Sequence, residues 1–412
     1  MSQPHIRKAT KATKKVTGAK LAILDKYVYA QASKPTPRFP SPVRTSPFRT
    51  VRHVNPGELQ AFSPSTGDAQ MTLEQFMGKP AVASIIASGQ LRFHAVGDTG
   101  VGSPEQEAVA EAMAHDLAAD IKQGGPAFML NLGDILYGPD KKAHYADKFY
   151  RRYADYHRLI FGIPGNHDGE VRSQTDSPSL SAFLENFCQP PGMQPPDGAE
   201  FGYLMPNQPG PYWSLECPFL DLIGLYSNTA ENFGVLSGSG LGTFQMDWLQ
   251  ARLKDMAAAR KNGKRKAALV IAVHHPPYAA GLNETGFGHP SSLLMLEDID
   301  RVCEAAGVMP DAVISGHAHT YQRYMRTYRK NGLEMTIPYF VAGTGGISIQ
   351  PLPMPFGITR GDVQYEMGFK EYGYLTLTAQ AAKLSVSFTA VGGANPGLRE
   401  TIGIDLNTHK QV

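Results

Sequence analysis

Apolar residues along this chain come in short continuous blocks as well as in periodic stretches. Leu91 to Val96, Phe128 to Leu132, Leu159 to Ile163, Ala268 to Val273 and Ala312 to Ile314 are runs without polar alternation, the pattern of strands buried on both faces. Between the first two, Val109, Met113, Leu117 and Ile121 recur every four residues. Ser103 with Gln106 three positions on, and Pro104 in the first turn, predict the start of a helix there, and Gly124 and Gly125 its end. The sequence therefore predicts a βαβ crossover. Further helices are expected from Thr243 to about Ala259 and from Ser291 to Ala306. Tyr374 to Thr378 and Leu384 to Ala390 alternate apolar and polar residues across a turn, which predicts an antiparallel hairpin. Strands alternating with helices place the chain in the α/β class, and no internal repeat is evident.

Each of the five apolar runs ends in a polar motif: GDTG at 97–100, GDILY at 133–137, GNHD at 165–168, AVHHP at 272–276 and GHAHTY at 316–321. In open α/β sheets ligands bind beyond the carboxyl ends of the strands, where successive loops converge. Five motifs spread between 97 and 321 can therefore meet at one point.

Composition narrows the picture further. The 412 residues are 42% hydrophobic, enough for a sizeable core, and no apolar run approaches the length of a membrane span. Three cysteines at long spacings, Cys188, Cys217 and Cys303, indicate neither a disulfide framework nor a CxxC zinc site. The net charge of +2 conceals an asymmetry: residues 1–55 hold twelve Lys or Arg and one acid, and the remainder holds 27 basic and 36 acidic residues. The opening residues are Lys-rich, then Pro-rich from Pro35 to Pro56, a composition unable to bury enough apolar surface to order itself. A basic arm over 1–60 is expected, open to an anionic partner such as lipid, nucleic acid or polyphosphate. Its longest apolar stretch, Leu21 to Leu24, is cut by Asp25 and Lys26, so no secretory signal is visible and a cytoplasmic location is expected.

The motif residues carry a definite chemistry. Asp98 and Asp134 occupy matching places after the first two strands, and two close carboxylates repel unless cations lie between them. Tyr137 lies within reach of the same ion, and a phenol with a pKa of about 10 becomes a good ligand only to a strongly Lewis-acidic metal, which favours trivalent iron. His317 and His319, two apart, project to one side of an extended backbone and can each reach a different metal. Asn166 adds an amide oxygen and His274 a nitrogen, a mixed donor set that suits Fe, Mn or Zn better than Ca or Mg. A metal pair roughly 3.5–4 Å apart can activate water and clamp an in-line displacement at phosphorus.

These five blocks resemble the metallophosphoesterase superfamily, and within it the purple acid phosphatases, with their GDxG, GDxxY, GNH plus acid, VxxH and GHxH pattern. YFVAGTGG at 339–346, QMDWLQARL at 245–253 and GYLTLT at 373–378 look like family segments outside the site. The implied fold is an α/β/β/α sandwich of two packed mixed sheets flanked by helices, with a catalytic domain at 91–395, a lead-in at 61–90 and a tail at 396–412. The resemblance implies Fe(III) on Asp98, Tyr137 and His319. It implies Fe(II), Zn or Mn on Asn166, His274 and His317, with Asp134 bridging. Most other branches carry a histidine two residues after the first aspartate; here that residue is Gly100, and Tyr137 fills the gap.

The implied reaction is hydrolysis of a small phosphate monoester by a metal-bound hydroxide, without a phosphoenzyme, with His167 at the leaving oxygen as donor or general acid. The H-x-P-x-Y spacing selects His274 as ligand and leaves His275 as a substrate-side or supporting residue. His289, fifteen residues on, is a substrate-binding candidate, Asp168 is expected to brace its loop, and substrate choice is expected in 170–211 and 279–292. A phosphodiesterase or nucleotide hydrolase on the same site, and a non-catalytic protein acting through the basic arm, are the alternatives. The sequence does not set the oligomeric state.

Overall fold

The structure, a computed structural model, describes residues 62–412 except 139–140, 172–177, 191–192, 204–205, 229–232, 238–240, 264, 266, 282–287, 331 and 353–355. The basic arm, and with it any anionic partner, lies outside the described residues. The strands are β1 (Gln70–Thr72), β2 (Gln90–Val96), β3 (Phe128–Asn131), β4 (Leu159–Gly162), β5 (Trp213–Cys217), β6 (Leu220–Leu225), β7 (Ala268–Val273), β8 (Ala312–Ser315), β9 (Tyr321–Lys330), β10 (Leu333–Ala342), β11 (Ile358–Arg360), β12 (Val363–Phe369), β13 (Tyr372–Gln380), β14 (Lys383–Val391), β15 (Gly397–Asp405) and β16 (Lys410–Gln411). They form two mixed sheets, one ordered β1-β5-β6-β7-β8-β10-β9-β12-β11 and the other β16-β15-β14-β13-β2-β3-β4. The helices are α1 (Leu73–Ser88), α2 (Pro104–His115), α3 (Asn166–Gly169), α4 (Ser181–Phe187), α5 (Phe244–Lys261) and α6 (Leu293–Ala306).

The period of two within each strand sorts side chains between layers. Along β7, Ala268, Val270 and Ala272 join the core between the sheets, where Leu91, Phe93 and Ala95 of β2 meet them. The intervening Leu269, Ile271 and Val273 face the other way, onto Leu249 and Leu253 of α5 and Ile299 and Val302 of α6. On the second sheet Val96 and Met129 face outward against Val109 and Met113 of α2. Both faces of the central strands are thus buried, which is why their sequences lack polar alternation. Each fully buried Leu, Ile or Val stabilises the fold by about 1.5–3 kcal/mol. The result is the α/β/β/α sandwich the sequence predicted. Among the described residues no helix is long and apolar enough to cross a membrane.

Helix α2 begins as expected, with Ser103 Oγ accepting from the Gln106 amide at 3.2 Å and Pro104 in its first turn. It stops at His115 and gives way to two 3-10 turns at Asp116–Ala118 and Ile121–Gln123. Leu117, in the first of these turns, still packs with Val109 and Met113, whereas Ile121, in the second, packs against the core between the sheets.

The segments on either side of the expected catalytic domain are themselves built into the sheets. Within the lead-in, β1 pairs in parallel with β5, and α1 is fixed by a capping box between Thr72 and Gln75. The expected tail at 396–412 carries β15, which pairs with β14 from Lys383↔Asp405 to Ala390↔Gly397, with Ile402 and Ile404 in the inter-sheet core. Charge disguised this strand: Arg399 is held by Glu371, and Glu400 by Arg323.

Candidate metal centre

The sheets contribute different donors. Asp98, Asp134 and Asn166 follow β2, β3 and β4, which are parallel neighbours. His274 and His317 follow β7 and β8, neighbours in the other sheet. Polar contacts tie the two strand ends together: the His317 amide donates to Asp98 Oδ2 at 2.7 Å, and His274 Nδ1 lies 2.8 Å from the Leu132 carbonyl oxygen. That carbonyl can only accept, so it holds the proton on Nδ1 and leaves Nε2 facing the centre.

The loops approach so closely that motif glycines have no room for a side chain. A Cβ on Gly165 would lie 2.2 Å from Asp134 Oδ1, and one on Gly100 would lie 1.7 Å from the Ile135 carbonyl oxygen. No histidine fits at position 100, where other branches of the resembled superfamily carry one. Asp98, Asp134 and His317 have positive φ of 62°, 54° and 66°, a conformation uncommon for such residues, and strain of this kind concentrates at functional sites.

The donors fall into two groups. In the first, the Tyr137 hydroxyl donates to Asp98 Oδ1 at 2.8 Å, and His319 Nε2 lies 3.6 Å from the same oxygen. In the second, Asn166 Oδ1 is 3.0 Å from both His274 Nε2 and His317 Nδ1. Asp134 lies at the second group, its Oδ2 3.3 Å from His274 Nε2, and its Oδ1 accepts the His167 amide at 2.8 Å. Asp134, His274 and His317 offer ligand atoms all within 4.8 Å of one another.

Electrostatics agree with a cation-shaped demand. Burial, with the Asp134 charge, pushes the Asp98 carboxyl up. Burial would also raise Asp134, yet the charges on His274 and His167 outweigh it and hold that carboxyl low. His274 is driven up to about 9, because Asp134 overcomes the effect of burial. Burial and the neighbouring imidazoles push His317 and His319 well below the usual histidine range, which keeps their lone pairs available. Two carboxylates that resist ionising together, neutral imidazoles and a phenol hydrogen-bonded to a carboxylate form a donor set that fits a pair of metal ions.

The remaining expected residues separate by position. His167 sits at the rim, 15% exposed, with Nε2 4.0 Å from Asp134 Oδ2 and its ring 4.6 Å from that of Tyr137. His289 reaches the site, its ring 3.9 Å from that of His317 and 5.4 Å from that of His319. His275, expected as a substrate-side or supporting residue, is wholly buried. Its ring lies 4.2 Å from that of His317 and its Nδ1 2.6 Å from Ser227 Oγ, a position that supports the His317 ring from behind. Asp168 accepts from the Gly165 amide at 2.8 Å and from the Ile135 amide, bracing its loop. Of the segments expected to set substrate choice, 172–177, 191–192, 204–205 and 282–287 lie outside the described residues.

Three neighbours escaped the sequence reading. Ser227 has no motif around it. Gln350 accepts the His319 amide at 3.2 Å from a distant loop. Glu170, whose Oε2 is 3.1 Å from His167 Nδ1, was foreshadowed only by its spacing of three.

Known proteins share parts of the sequence and the fold. A stretch of the Arabidopsis thaliana protein "Probable purple acid phosphatase 20" is 31% identical over 105 residues, 26% of this chain and 22% of that one. The purple acid phosphatase PPD1 from yellow lupin (Lupinus luteus) seeds shares the fold at a TM-score of 0.53 and 14% identity, over 77% of this chain and 54% of that one. The chain thus spans about a fifth of the length of the first and about half of the second. Residues 91–321 match the sequence profile of the calcineurin-like phosphoesterases. That stretch contains all five loops and both donor groups, and the chain belongs to the calcineurin-like phosphoesterase family.

Proposed function

We infer that the chain hydrolyses small phosphate monoesters at a dinuclear metal centre of the purple acid phosphatase kind. The observation that carries this reading is the Tyr137 hydroxyl on Asp98 Oδ1 at 2.8 Å, beside a Gly100 that leaves no space for a histidine. In this assignment Asp98, Tyr137 and His319 would hold trivalent iron, Asn166, His274 and His317 would hold Fe(II), Zn or Mn, and Asp134 would be shared between the two. When bound, such a pair supplies Lewis acidity toward the phosphate oxygens and makes a water acidic enough to act as nucleophile.

The chain's own residues do the rest. The Leu132 carbonyl and Ser227 hold His274 and His275, whose rings lie 5.1 and 4.2 Å from that of His317. His289, its ring 3.9 Å from that of His317, is close enough to the centre to serve as a donor to the phosphate oxygens of a bound monoester. His167 faces the centre with Nε2, and its proton passes to the leaving oxygen as the P–O bond breaks, a contribution of about 10²–10⁴-fold for a general acid of this kind.

The test compares p-nitrophenyl phosphate with bis-p-nitrophenyl phosphate on metal-loaded protein. Faster turnover of the monoester is expected. A preference for the diester would overturn the substrate assignment, and turnover of neither would remove the enzymatic reading.

A further inference from the structure

We propose that Glu170 is a positioning residue that fixes the ring orientation of His167, accepting Nδ1–H so that Nε2–H faces the leaving group. The inference rests on the phosphomonoesterase reading above for what His167 does, and on geometry alone for how it is held. His167 and Glu170 lie on either side of one short helical turn: α3 ends at Gly169, and the Glu170 amide donates to the His167 carbonyl at 3.4 Å. A spacing of three brings side chains to one face of such a turn, and here Glu170 Oε2 stands 3.1 Å from His167 Nδ1. The Glu170 side chain is 4% exposed, so little water competes for the contact.

The turn itself is pinned. Lys141 Nζ donates to the Glu170 carbonyl at 3.3 Å, and the Ser179 hydroxyl donates to the Gly169 carbonyl at 2.7 Å. An ionised carboxylate only accepts hydrogen bonds, so a proton must sit on Nδ1, and Nε2 becomes the nitrogen presented toward Asp134 and the metal centre. Removing Glu170 takes away the acceptor for Nδ1–H, so Nε2–H is no longer held toward the leaving oxygen. The other acid of the motif cannot substitute, because the Asp168 carboxylate is taken by the amides of Gly165, Ile135 and Leu136.

The experiment uses the full chain with metals bound and two substrates that differ in leaving group. p-Nitrophenolate departs readily without a proton, whereas the alkoxide of ethyl phosphate needs one. Glu170→Ala is expected to lower kcat on ethyl phosphate by about 10–100-fold, the usual cost of losing an outer-shell partner, and to lower it much less on p-nitrophenyl phosphate. Glu170→Gln keeps an acceptor oxygen and should recover most of the loss. Equal losses on both substrates, or none on either, would overturn the proposal.

A second readout is independent of turnover. Long-range ¹H–¹⁵N spectra, with the His167 ring assigned through His167→Gln, should show Nδ1 protonated in the wild type and less so in Glu170→Ala. An unchanged Nδ1 signal in Glu170→Ala sinks the proposal. If the wild type hydrolyses neither ester, the phosphatase reading fails, and the Nδ1 signal still decides whether Glu170 positions His167.

Discussion

Gly165→Ala tests whether the site depends on loops pressed together from separate strands. The added methyl would lie 2.2 Å from Asp134 Oδ1 and 2.3 Å from the Asp134 amide nitrogen. Ordinary contact begins near 3.4 Å, so the two loops must separate by about 1.2 Å (3.4 minus 2.2). A rotamer change of Asp134 does not relieve this, because one of the clashing atoms is backbone. Overpacking of this kind costs about 1–3 kcal/mol of stability. A displacement of 1 Å at reacting groups costs on the order of 10²-fold in rate. The assays are urea unfolding, metal content after dialysis and turnover of p-nitrophenyl phosphate. Gly89→Ala is the control: φ there is 74° and nothing lies within 4 Å of the added methyl, so it should lose stability by about 1 kcal/mol and keep its turnover. A Gly165→Ala protein with wild-type metal content and turnover would refute the reasoning.

Four further outcomes are expected. Tyr137→Phe should abolish a visible tyrosinate-to-iron band, and a band that survives would disprove the ligand assignment. His94 is buried, its Nδ1 3.1 Å from the Tyr156 hydroxyl and its Nε2 3.4 Å from Asp116, and burial lowers its pKa. The unfolded chain therefore takes up a proton below about 6.5 that the folded state refuses, so stability is full above that pH and falls below it. Urea midpoints from pH 8 to 5 should show this slope, and His94→Gln should flatten it. Glu400→Ala strips one partner from Arg323, a guanidinium 6% exposed in its side chain, and should cost about 3 kcal/mol despite the remaining Glu366; an unchanged urea midpoint would contradict the pairing. Chelation should destabilise the loaded protein by about 2.7 kcal/mol for metal held at a hundred times its Kd, and a melting curve indifferent to chelator would speak against bound metal.

The site was legible because each candidate donor lies in a short motif after an apolar run, and strand ends are where loops converge. Its supporting partners were not. Ser227 and Gln350 come from loops far away in sequence, and only the closed fold brings them to His275 and His319. In the fold, β2, β3, β4, β7 and β8 could be read from hydrophobicity, whereas β9 could not. Its sequence YQRYMRTYRK looks like a solvated surface, yet Arg323 and Arg326 are buried against Glu366, Glu400, Asp300 and Asp362. Charges neutralised by partners from α6 and the β12 and β15 regions removed the hydrophobic signature. The same exchange between Glu400 and Arg323 made β15 read as a tail.

On the assignment proposed above, seven donors from five loops would hold two cations around Asp134. Metal analysis of the reconstituted protein tests it most directly, comparing the wild type with Asp134→Asn by elemental stoichiometry. The account predicts two bound metal ions per wild-type chain, one of them iron, and loss of both together when the bridge is weakened. A wild-type chain that retains no metal, or an Asp134→Asn chain that keeps two as tightly as before, would contradict it.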